Sequence, residues 1–172
     1  ISKNVLTVGA VNDINAGYNG SNSVNISSFS SVGPMDDGRI KPDIVANGVG
    51  LLSSVSSSIE AYDSYSGTSM SAPSATGSLI LVQQWYQERQ DTLMQAATLK
   101  ALVIHTADEA GEHEGPDYRY GWGLMNTSRA IDLISQLGNG YLIQETMLQD
   151  SDSLEFQVSS NGNNPLRVTI SW

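Results

Sequence analysis

The chain has no cysteine, few basic residues and no long apolar run, and each shortage removes a class of function. Without cysteine there is no disulfide framework, no thiolate nucleophile and no thiolate metal site. Lysine and arginine number 8 against 18 aspartates and glutamates, a formal net charge of -10, and the basic residues nowhere cluster. Nucleic acid and membrane are therefore not expected as partners. The longest apolar run, Leu79 to Val82 with its neighbours, stops at Gln83 and Gln84, well short of the roughly 20 residues a bilayer needs. Charge is also too sparse for a disordered chain: 15% of residues are charged, 40% are apolar, and the mean hydropathy is -0.18. A length of 172 residues holds one good-sized domain, or one and a fraction. The opening residues have strand character and no charged-then-apolar leader, so the sequence reads as a piece of a longer polypeptide.

The pattern of apolar residues predicts an α/β architecture. Asn4 to Val11 is small, apolar or β-branched at nearly every position, as in a parallel-sheet strand covered on both faces. Residues 12 to 25 form a loop, Ile26 to Ser31 and Ile44 to Ala46 are short strands, and Leu51 to Ser58 pairs with Ala61 to Ser66. From Met70 to Tyr86 apolar and small residues lie on every side of a helical wheel, which predicts a helix buried in the middle of a domain. A second helix is expected over Thr92 to Thr106, capped by Asp91, and a third over Thr127 to Leu137, opened by Asn126 or Thr127 and closed by Gly138. Beyond Gly138 the period changes to two. Leu154, Phe156 and Val158 alternate with polar residues, as do Leu166, Val168, Ile170 and Trp172, so antiparallel strands joined through residues 161–165 are expected there.

Serine is abundant, so position has to single out a nucleophile. Ser69 stands where a short polar strand runs into the buried helix, behind Gly67 and Thr68 and ahead of Pro73. Free N–H groups and the helix dipole at such a junction favour a developing negative charge. Gly67 lets the chain turn tightly and a substrate approach. Pro73, with no N–H, leaves the carbonyl near Ser69 without its usual partner. On these grounds alone, a plain N-capping role is the better reading of Ser69.

The residues Gly67-Thr68-Ser69-Met70-Ser71-Ala72-Pro73-Ser74-Ala75-Thr76-Gly77 resemble the nucleophile motif of the subtilisin-like serine proteases, the subtilases of peptidase family S8. Three more segments resemble the family in the family's order: Asn4 to Val11; Ser28 to Pro34 with Asp37 to Ala46; and Tyr120 to Asn126. Two positions depart from it, Ser74 standing where a histidine is usual and Asn47 where a proline is. The segment Glu145 to Trp172 is similar to the first strands of the β-sandwich that follows the catalytic domain in some large subtilases.

The resemblance implies residues 1–138 as the C-terminal half of a subtilisin-like peptidase domain, a mainly parallel sheet flanked by helices. Residues 139–172 would begin a P-domain or jelly-roll-like β-sandwich. It implies a serine endopeptidase acting on polypeptide, secreted or extracellular/periplasmic, with Ser69 as nucleophile and Thr68 and Gly67 shaping the oxyanion site. The family's order of Asp, His, Ser implies that the aspartate, the histidine and an oxyanion asparagine precede Ile1, so the chain alone is expected to be inactive. No cofactor is required for that chemistry. A structural Ca²⁺ is implied by the family without being assignable; Asp36, Asp37 and Asp43 carry suitable oxygens but in no closed loop, and read as solvated turn carboxylates. His105 reads as a helix-end residue and His113 as a solvated residue of an acidic loop, neither as the catalytic base. Two alternatives stand beside the peptidase. One is a catalytically silent scaffold of the same fold. The other is an α/β-hydrolase esterase built from Asp91 or Asp108 with His105 or His113, against which Ser71 occupies the position where the nucleophile elbow needs glycine.

Overall fold

The computed structural model of the chain describes every residue except Ile1, Ser2, Asn161 and Asn164. Its centre is a parallel pair, β1 (Val8–Val11) beside β2 (Ile44–Asn47), in the register Val8↔Ile44 to Val11↔Asn47. The pair is widened on both edges by single bridges. Ile26 pairs with Val11, and Leu124 lies along Val45, whose N–H donates to the Gly123 carbonyl and whose carbonyl accepts the Met125 N–H, both at 2.9 Å. β1 is shorter than the Asn4 to Val11 expected. The segment after Ile26 turns at once, with the Ser30 N–H on the Ser27 carbonyl, in place of the expected strand. Next comes an antiparallel hairpin, β3 (Leu51–Ser54) with β4 (Tyr62–Tyr65), largely exposed and carrying Leu52, Tyr62 and Tyr65 outward.

Among the described residues a short 3-10 turn, Ser21–Ser23, and three α-helices complete the elements: α1 (Thr68–Gln90), α2 (Ala96–Thr106) and α3 (Thr127–Ser135). α1 lies against β1 and β2 and packs on α3, which also contacts α2. The small Ala10 and Ala46, opposite each other in the register, allow α1 to approach the sheet closely. One cluster of buried side chains, Val82, Met94, Leu102, Ala130, Leu133 and Ile134, joins the helices; another, Val11, Val24, Val45 and Ala110, joins the sheet to its loops. α3 begins as expected, with the Asn126 side chain accepting the Arg129 N–H at 2.9 Å. Asp91 does not cap α2: it terminates α1 in a left-handed conformation, φ 55°, and α2 starts after Gln95.

Two further expectations are overturned. α1 is not buried all round, since Ser71, Ala75 and Val82 are enclosed while Ile80 and Leu81 remain 63% and 58% exposed. The alternating segments 154–158 and 166–172 form no strand and stay mostly exposed, and the expected connection between them includes Asn161 and Asn164, which lie outside the described residues. The reason is common to both. An apolar face is covered only where a facing surface meets it, and a lone two-stranded ribbon is marginal in water.

Candidate active site

β2 ends at Asn47, and the Gly67 N–H donates to the Gly48 carbonyl at 2.8 Å, so the turn before α1 is tied to the carboxyl end of the parallel pair. The hairpin leaves from this junction and returns to it, closed at its base by the Gly50 N–H on the Ser66 hydroxyl at 3.0 Å. α1 then starts with Gly67 as its N-cap and no side-chain capping bond, which places Ser69 in the first turn. The capping role open to Ser69 in the sequence is thus not the one it has.

Ser69 is exposed, as is Thr68, and Gly67 is half-buried. Among the described residues the Ser69 hydroxyl makes no hydrogen bond, so it is unspent. The Gly67 carbonyl accepts from Met70 N–H at 3.0 Å and Ser71 N–H at 3.2 Å, leaving the Thr68 and Ser69 N–H groups without a backbone acceptor among the described residues. Two free donors at the positive end of a 23-residue helix, beside an exposed hydroxyl, form an environment suited to an oxyanion. Ser71 does not share this exposure: it is fully buried, with its hydroxyl on the Thr68 carbonyl at 3.1 Å, so it braces the turn from below.

The other candidates lie elsewhere. His105 sits in the last turn of α2, where its Nδ1 meets the Thr169 hydroxyl at 2.9 Å and its carbonyl accepts from Arg167 at 3.0 Å. Burial, then the guanidinium groups of Arg167 and Arg129, hold its pKa below the ordinary 6.5. His113 is exposed on its loop. Neither histidine is hydrogen-bonded to Ser69 among the described residues. Asp91 caps α1, and Asp108 is bound to Arg129 at 2.8 Å and Asn126 at 2.7 Å, so the esterase constellation is not assembled.

Asp36, Asp37 and Asp43 do not fit a calcium site. Asp37 is occupied by Arg39 at 2.8 Å, which holds its carboxyl below the ordinary carboxylate range, and Asp36 is exposed. Asp43 is buried and ion-paired with Lys41 at 2.5 Å, correcting the expectation of a solvated turn carboxylate. The two departures from the family motif, Asn47 and Ser74, line one cavity of about 230 Å³ beside α1, together with Asp13 and Ser78. The residue that sequence reasoning overlooked is Gly48; its signal was a glycine directly after an apolar strand and ahead of a nucleophile turn.

Comparison with known proteins adds an independent line. The family model described as Subtilase family, of the S8 peptidases, matches residues 1–123. The serine protease/ABC transporter B family protein tagB of Dictyostelium discoideum is 30% identical over 170 residues, covering 85% of this chain and 9% of that protein. Serine protease AprX of Bacillus subtilis is 33% identical over 143 residues, covering 76% of this chain and 30% of its own length. Among solved structures, the Clostridium perfringens CspB protease superposes with a TM-score of 0.66 at 30% identity, covering 78% of this chain and 28% of that one. The chain thus spans less than a third of each of these relatives.

Proposed function

The chain belongs to the subtilase family of serine peptidases, and on that premise we propose that it carries the nucleophile, Ser69, of a serine endopeptidase whose base and orienting acid come from polypeptide outside these 172 residues. The observation that carries this reading is the exposed, unspent Ser69 hydroxyl in the first turn of α1, flanked by two N–H groups without acceptors.

A serine hydroxyl is a weak nucleophile until a base takes its proton. In the proposed reaction the Ser69 oxygen bonds to the carbonyl carbon of a peptide as its proton passes to a histidine, held in the productive tautomer by an aspartate. The displaced electron pair rests on the carbonyl oxygen, where the Ser69 N–H donates and Thr68 and Gly67 shape the space. Collapse breaks the C–N bond, and the leaving amine takes the proton from the imidazolium. Water then repeats the sequence on the acyl-serine, releasing the acid and restoring Ser69. No cofactor enters these steps. The substrate is polypeptide, and the family likeness supports a secreted or periplasmic setting; no helix among the described residues is long and apolar enough to cross a membrane.

The test is hydrolysis of a denatured protein substrate by the full-length protein and its Ser69→Ala variant. Cleavage that disappears with Ser69→Ala is expected. Cleavage that survives would assign the chemistry to another group, and no cleavage by either would favour the scaffold reading.

A further inference from the structure

Resting on the assignment of Ser69 as nucleophile, we propose that Gly48 is a positioning residue for it. The claim is that the absence of a side chain at this one position sets how closely the nucleophile turn seats on the end of the sheet. Gly48 is buried, and its carbonyl accepts the Gly67 N–H at 2.8 Å while its own N–H donates to the Val11 carbonyl at 3.1 Å. It is therefore the link between the last residue of β1 and the turn that presents Ser69.

Space, not backbone conformation, demands glycine here. Gly48 is not among the residues with positive φ, so its conformation is open to alanine. A Cβ placed on it would lie 2.6 Å from the Ala10 Cβ, 2.9 Å from the Gly67 carbonyl oxygen and 3.2 Å from the Ser71 Cβ. These neighbours belong to β1, the turn and the first turn of α1, and none is the free end of a flexible side chain. Gly50, two residues on, is the contrast: it has φ +66° and nothing within 4 Å of a Cβ. The methyl at position 48 has to push against backbone that carries Ser69 two residues later. β1 and β2 are pinned on both edges and the turn is exposed, so the turn is the part that gives way. Such a shift moves the Ser69 oxygen and N–H relative to the substrate carbonyl while leaving more distant binding contacts in place. A displacement approaching 1 Å costs a rate factor on the order of 10².

The experiment is steady-state kinetics and fluorophosphonate labelling of the full-length protein as wild type, Gly48→Ala, and Gly48→Ala with Ala10→Gly. Gly48→Ala is expected to lower kcat and the labelling rate by about 10²-fold with KM within a few-fold of wild type. Ala10→Gly removes the nearest clash but not the one with the Gly67 carbonyl, and is expected to restore part of the rate, short of wild type. Wild-type kcat in a folded Gly48→Ala protein would overturn the proposal, as would a loss confined to KM. If the single variant does not fold, the double variant carries the test: it keeps the methyl against the Gly67 carbonyl, so a folded protein with a depressed kcat supports the proposal and a wild-type kcat refutes it. Failure of both to fold would make Gly48 a requirement of the fold and also overturn it. A wild type unlabelled at Ser69 refutes the nucleophile assignment itself, and is told apart from these outcomes without any variant.

Discussion

The carboxylate of Asp43 accepts from the Thr7 N–H at 2.6 Å and the Lys41 ammonium at 2.5 Å, with Lys100 of α2 at 3.8 Å from its other oxygen. Lys41 also reaches the Val5 carbonyl at 3.1 Å. The lysine and aspartate side chains are only 6% and 9% exposed, so the group ties the approach to β1 to the start of β2 in a poorly hydrated place. Removing one charge leaves the other buried without a counter-charge. Asp43→Asn is expected to destabilise the full-length protein by about 3–5 kcal/mol in urea unfolding, and a change below about 1 kcal/mol would mean the pair is solvated. His105 gives a second residue-scale prediction. Its pKa is held below 6.5 in the folded protein by burial and by Arg167 and Arg129. The unfolded chain therefore binds the proton more readily. The contribution of His105 to stability is fully present above pH 6.5, falls as pH drops through that value, and is lost below the lowered pKa. His105→Gln is expected to flatten the pH dependence of Tm across this window; an unchanged slope would contradict it.

At the scale of elements, α1 carries most of the argument. Its N-terminal turn presents Ser69, its inner side is buried through Ser71, Ala75 and Val82, and its outer side leaves Ile80 and Leu81 open, with open space where a Cβ on Gly77 would stand. An apolar helix side of this kind is covered in a stable protein. Reading the helix as apolar all round was sound chemistry, and the error lay in assuming that these residues alone supply its surroundings. The isolated chain is expected to self-associate in sedimentation velocity, and Ile80→Lys with Leu81→Lys to reduce that association; a monomeric isolated chain would show that the open side needs no cover. The hairpin was legible because its Ser-rich turn and flanking strands are local. The cap of α2 was not, because an aspartate one residue past a long helix can serve either neighbour, and α1 claimed Asp91.

Across the molecule, what could be read in advance was whatever short-range pattern determines. The two strands of the parallel pair were marked by short apolar runs, although their pairing with each other was not, and the start of α3 followed from Asn126. The Ser69 motif was readable because its residues are contiguous. The burial of the Asp43–Lys41 pair was not, because Thr7 and Val5 meet it from 36 residues away in sequence, and Gly48 was not, because its need for glycine arises from Ala10 and Ser71, far away in sequence. Residues 139–172 show the limit most plainly. Their alternation is real, yet Leu154, Phe156, Val158, Leu166 and Ile170 have no facing sheet here and stay exposed, so the pattern states a requirement that these residues do not meet by themselves.

The central claim is that Ser69 is a nucleophile whose proton acceptor is not among these residues. Fluorophosphonate labelling with the adduct mapped by mass spectrometry tests it most directly, on the 172-residue chain and on the full-length protein in parallel. The account predicts an adduct on Ser69 in the full-length protein and none on the isolated chain. An adduct on Ser69 of the isolated chain, or an adduct on a different serine of the full-length protein, would contradict it.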